Sequence, residues 1–295
     1  RGRNIKVVGE DRETTIIDGN NSRNIVRIEQ SSNILFKSFT IMNSYGWPEV
    51  EGESSAGGGI IINGNGPKVI DNMIFSNNYA AHGGAIQIYG HDVTIKNSVF
   101  KNNGSAWGGS GITIGGHRSL IENCLFYDNY GGHSVIAYGV SEDLSIINHS
   151  TIVDNDAGGI AFSYHNSSYL ISHSFLAGNT GNWNAELMNF DASTPTVTIS
   201  YSNIGGGNGS VYDEDNTGNN NQGGLMNVVW EPGIIDVNPM FEDTANANYH
   251  LLASSQLINA GHPDSTDSDG TIADIGAYPY LNSYNGPTWY ITESG

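Results

Sequence analysis

A repeated phrase constrains this chain more than any other feature. Six segments close alike: Phe39–Asn43, Ile74–Asn78, Val99–Asn103, Leu125–Asn129, Thr151–Asn155 and Phe175–Asn179. Their terminal asparagines lie 35, 25, 26, 26 and 24 residues apart. The first spacing reads as one unit carrying an insertion, and Ser202–Gly207 closes a seventh, degenerate unit. Repeats of this length stack, because one unit cannot bury its apolar side alone and neighbours together bury a continuous core.

Within each unit the apolar period is two. Val93-Thr94-Ile95, Ile112-Thr113-Ile114 and Val197-Thr198-Ile199 alternate, and Gly, Asn, Asp and Ser break the runs. Such short β-branched runs are strand signals. Three of them per unit, in register, describe an all-β fold: a single-stranded parallel β-helix with coils of about 25 residues. Parallel crossovers favour the right hand. Stacked coils also align equal positions into rows. Six residues before the terminal asparagines, and at the same offset in the degenerate unit, lie Lys37, Asn72, Asn97, Asn123, His149, His173 and Tyr201, read as a structural turn row. Cys124 adjoins it as a small buried filler.

Charge is divided unevenly. Residues 1–118 hold all 11 Lys and Arg with 10 of the 30 Asp and Glu, and residues 119–295 hold the other 20 acids and no Lys or Arg. A nucleic-acid surface needs clustered basic residues, so nucleic acid is excluded as a partner. No apolar stretch has the length of a membrane span. A single cysteine excludes a disulfide scaffold.

Two parts of the chain resemble a known group. Gly2–Glu10 with Thr15–Gly19 looks like the opening coils of bacterial secreted right-handed parallel β-helix proteins of the pectin-lyase-like superfamily. Asn238–Phe241, Tyr249–Leu252, Ile258–Gly261 and Asp269–Tyr278 resemble the closing segment of large surface proteins in that group. The resemblance implies coils over residues 1–207, an acidic loop and β-rich closing segment over 208–280, and a linker with the start of a following unit over 281–295. It further implies a secreted or cell-surface bacterial location and one unit of a tandem array; the unpaired strand edges of an open β-helix end add the expectation of end-to-end self-association. The group includes lyases, hydrolases and adhesins, so the fold alone does not choose among them.

Four residues after the terminal asparagines lie Trp47, His82, Trp107, His133, Gly159 and Trp183. Trp47, His82, Trp107, His133 and Trp183 are the candidate ligand-binding residues. They read either as a platform for the CH faces of sugar rings or as a corner stack covering the core. The acidic insertion Pro48–Ala56 beside Trp47 is a place where binding resides. Asp264, Asp267, Asp269 and Asp274 crowd a Gly-containing loop and are candidate calcium ligands. Lyases of the group need a basic residue, and Lys37, Lys68, Lys96, Lys101 and Arg118 are the ones inside the repeats. Asp128 and Asp154 are neighbours in one row and could act as acid and base, although Asn77 and Asn102 share the row. The expected function is a non-catalytic, structural or adhesive surface module with a polysaccharide or cell-surface glycan as partner and no assigned catalytic residue. The alternative is a polysaccharide lyase or glycoside hydrolase, which requires a cleft holding a basic residue or two opposed carboxylates.

Overall fold

The computed structural model describes residues 4–22, 25–29, 33–46, 56–139, 143–163, 167–181, 184–189, 194–213 and 226–281. The alternating runs form three stacked parallel sheets. The first runs in order from Ile5–Val8 to Asn227–Trp230, the second from Ile16–Asp18 to Asn203–Ile204, and the third from Val26–Ile28 to Val211–Asp213. Ile74, Val99, Leu125, Thr151, Phe175 and Asn203 lie opposite one another, at steps of 25, 26, 26, 24 and 28 residues. This is a parallel β-helix. Its parallel strands continue beyond residue 207, because Val211–Asp213 pairs with Leu187–Asn189 and Asn227–Trp230 with Thr196–Ile199.

The alternation fills the lumen. Ile70, Ile95, Ile121, Ile147 and Ile171 point inward from the first sheet, facing Phe75, Phe100, Phe126 and Ile152 from the second. Phe75, Phe100 and Phe126 stack at 4.8 and 4.5 Å between centroids.

Two tight corners flank the second sheet. At the first, Asn72, Asn97, Asn123, His149, His173 and Tyr201 all adopt left-handed backbone, with φ between 43° and 55°. Lys37 does not belong to this row. It pairs with Asp71, and Ser38, with φ 64°, takes the turn position. The same one-residue shift moves the coil's end. Asn43 sits opposite Asn77, and Ser44 opposite the true repeat position, because the insertion is one residue shorter than the phrase spacing implies.

At the second corner the terminal asparagines turn inward and are buried. Asn78, Asn103, Asn129 and Asn155 each donate their backbone N–H and side-chain amide to the Oδ1 of the asparagine one coil on, at 2.7–3.3 Å. A second ladder begins one residue after the first corner. There Ser98, Ser150, Ser174 and Ser202 accept a backbone N–H from the preceding coil and donate to the carbonyl two residues back. Cys124 occupies this row and is fully buried, and burial pushes its thiol up to about 12.

After Ile235, which still pairs in parallel with Asn203, the closing segment leaves the stack. From about Ile235 to Tyr278 it lies along the outer face of the second sheet. There Tyr249, Leu251, Leu257, Ile275 and Ala277 cover Ile74, Val99, Leu125, Tyr127, Val153 and Phe175 in a second core. It is less β-rich than the sequence implies. Apart from one antiparallel pair, Phe241–Asp243 with Asn248–Leu251, it consists mostly of turns. Among the bonds that fasten it to the coils, Gly276 N–H donates to His173 O at 2.8 Å, Ala277 N–H to Thr151 Oγ1 at 3.0 Å and Val237 N–H to Asn203 Oδ1 at 2.8 Å. Residues 214–225 of the acidic loop and 282–295 of the linker lie outside the described residues.

Candidate functional site

Part of the expected aromatic row falls within the described residues. Trp107 is 53% exposed, far more than a core-covering indole, and its backbone N–H is held by Ala81 O at 2.9 Å. His82 is exposed one coil upstream. His133 is half-buried. Its N–H reaches both Trp107 O and Gly108 O, at 2.9 and 3.1 Å, where the pairing slips by one residue. The residue that bridges to His82 from the coil before is Ala56. Trp47 and Trp183 lie outside the described residues.

A second aromatic row stands beside the first. Tyr45, Tyr79 and Tyr130 follow the ladder positions directly. Their rings stack at 5.4 Å and 6.3 Å, with Tyr45 and Tyr130 each 44% exposed. Gly104 makes the second contact possible, since a Cβ there would lie 2.5 Å from Tyr130 Cζ. The signal for this row was present as a tyrosine immediately after a terminal asparagine in two units, but the one-residue shift hid Tyr45.

On the other side, the left-handed turn row and the closing segment enclose a polar cleft of about 520 Å³. Asn97, Asn123, Glu122 and His149 line one wall, Asp267 and Tyr278 the other, and Arg12 lies at one end. Arg12 Nη1 donates to Asn97 O at 3.0 Å. Burial, and then Asp274, push the Asp267 carboxyl up to about 6. Burial holds His149 below its ordinary value, and its ring stacks on His173 at 4.5 Å. His173 accepts His262 N–H at Nε2, 3.0 Å away, and burial lowers it to about 4.

Three of the four candidate calcium ligands accept hydrogen bonds within their own turns. Both oxygens of the buried Asp274 accept backbone N–H groups, from Asn259 at 2.7 Å and Tyr280 at 2.6 Å. Asp267 accepts Asp274 N–H, Asp269 accepts from Thr271, and Asp264 is exposed. Among the described residues no three His, Cys, Asp or Glu side chains converge as a metal site requires. Asp128 and Asp154 lie one coil apart, as the row implies, and Lys96, Lys101 and Arg118 are scattered along the rod.

Residues 5–132 match the family model described as "Right handed beta helix region". The match covers under half of the chain, and the three stacked parallel sheets show the β-helix fold that it describes. Coils beyond residue 132 continue the same three sheets and the same two corners. No curated protein matches the chain. No helix among the described residues is long and apolar enough to cross a membrane.

Proposed function

We propose that this β-helix is a secreted or cell-surface module that holds a glycan along its aromatic flank. One observation carries the reading: Trp107 presents over half of its surface to solvent on a rigid corner. The tyrosine row lies on the same corner. An exposed indole beside hydroxyl-bearing rings suits the apolar faces of sugars, and a rigid coil stack holds it with little ordering cost. Affinity electrophoresis against neutral and acidic polysaccharides tests it. Retardation by at least one glycan, abolished in Trp107→Ala with an unchanged melt, is expected. Equal retardation of the variant removes the reading.

The polar cleft favours a second reading, a polysaccharide-cleaving enzyme. Glu122 and Asp267 face it from opposite walls with Arg12 between the coils and the closing segment. Two carboxylates facing one cleft can serve as acid and base. New reducing ends that vanish in Glu122→Gln would establish that reading over simple binding.

A further inference from the structure

A second cavity, of about 560 Å³, opens between the last coils and the closing segment. Its apolar walls are Val153, Phe175, Ala177, Pro239, Met240 and Phe241, with Asn238 and Thr244 beside them. Phe175 and Phe241 meet edge to face at 5.2 Å, and Phe241 meets Tyr249 at 5.3 Å. Asp154 stands at the mouth of this apolar space.

The Asp154 carboxylate is placed by the next coil. Its Oδ1 lies where a side chain at Gly178 would begin, 2.5 Å from a Cβ built there. Gly178 follows Asn43, Asn77, Asn102, Asp128 and Asp154 in one row, and Gly206 continues it. Asp128, one coil away, adds a second negative charge on the same side, and both acids act on the Tyr249 phenol. Among the described residues no Lys, Arg or His forms an ion pair with either acid. The sequence has no Lys or Arg after Arg118.

We propose that this cavity binds an aliphatic ammonium group, with the alkyl chain in the apolar space and the nitrogen at the Asp154 carboxylate. A carboxylate with no cation of its own, at the rim of a largely apolar cavity, complements a charge carried on a hydrocarbon. Burial and Asp128 raise the Asp154 carboxyl, so bringing in a cation relieves a repulsion already present. The ammonium could belong to a free alkylamine or to a lysine side chain.

Titration calorimetry at pH 8 and low salt tests the proposal, with pentylammonium, 1-pentanol and a lysine-containing tripeptide as probes. Pentylammonium should bind saturably, and 1-pentanol at least about tenfold more weakly. Asp154→Asn should weaken pentylammonium by about tenfold and Asp128→Asn by less. Neither variant should disturb the fold, since Asn77 and Asn102 already hold asparagine in this row. Tripeptide binding equal to pentylammonium supports the proposal and assigns a protein-borne lysine. Weaker tripeptide binding supports it and assigns a free amine. Equal binding of 1-pentanol, undiminished binding by Asp154→Asn, no saturable binding, or displacement by calcium would each overturn it.

Discussion

Two rows of asparagine flank the second sheet, and they behave differently. Asn78, Asn103, Asn129, Asn155 and Asn179 are buried, and their amides bond from coil to coil. Asn72, Asn97 and Asn123 are exposed or half-buried, and their role is the left-handed turn. The same residue type thus meets two demands. Inside, an amide satisfies backbone groups that water cannot reach. Outside, it relieves a strained φ where water could replace its hydrogen bonds. An unmet buried group costs far more than a lost surface bond, so the inner row should dominate stability.

The largest effect is expected at Asn129, mid-ladder. Its side chain donates to Phe100 O, Tyr127 O and Asn155 Oδ1 and accepts from Asn103. Asn129→Ala strands these partners in a dry corner and should cost about 3 kcal/mol or more. Urea unfolding reads this directly. A loss below about 1 kcal/mol would mean that water enters the corner and that the two rows do not differ in kind.

The inner ladder also ends in an unusual way. One coil beyond Asn179 the row holds Gly207, and no amide is available. Glu186, only 5% exposed, reaches into the gap and accepts Asn179 N–H and its side-chain amide. Burial pushes this carboxyl up to about 7 from its ordinary 4.5. A raised carboxyl contributes stability that is complete below about pH 4.5 and is lost as pH rises through 7. His173 acts in the opposite direction. Lowered to about 4 from 6.5, it contributes stability above pH 6.5 that is lost as pH falls through 4. The two windows, about pH 4.5–7 for Glu186 and about pH 4–6.5 for His173, overlap with opposite sign, so melts against pH should be close to flat from pH 4 to 8. Glu186→Gln removes the opposing contribution, and stability should then rise by roughly 2–3 kcal/mol between pH 4 and 7. A variant profile as flat as that of the parent would place the balance on other groups.

How much of this was legible in the sequence follows from the same contrast. Repeat phrase and apolar alternation specify sheets, coil length and turn row, because burial of one strand face repeats in every coil. The inner ladder was visible as terminal asparagines, but their inward orientation was not, since asparagine serves equally well in an exposed turn. Ser44 at the ladder position was hidden because Asn43 beside it completes the phrase one residue early. Glu186 could not be found from the repeat at all. It substitutes for Gly207 across 21 residues of sequence, and only the fold brings the two places together. The polar cleft was equally hidden, because Arg12 and Asp267 come to line one cleft only when the closing segment folds back along the coils.

The smallest expected effect separates conformation from hydrogen bonding in the outer row. Asn97 has φ 52°, is exposed, and donates its side-chain amide to Asp71 Oδ1 at 2.8 Å. If the turn is its main task, Asn97→Ala should cost about 1 kcal/mol, because a Cβ without a compensating polar group disfavours the left-handed region. Asn97→Gly removes the same hydrogen bond but adopts that φ freely. It adds only some backbone entropy to the unfolded chain, and should cost at most about 0.5 kcal/mol. The order of the two variants is the test, and parallel urea melts measure it. Should the glycine variant prove as damaging as the alanine, the hydrogen bond to Asp71 would outweigh the turn conformation at this position. The outer row would then be a hydrogen-bonded ladder like the inner one, and exposure would not be what distinguishes them.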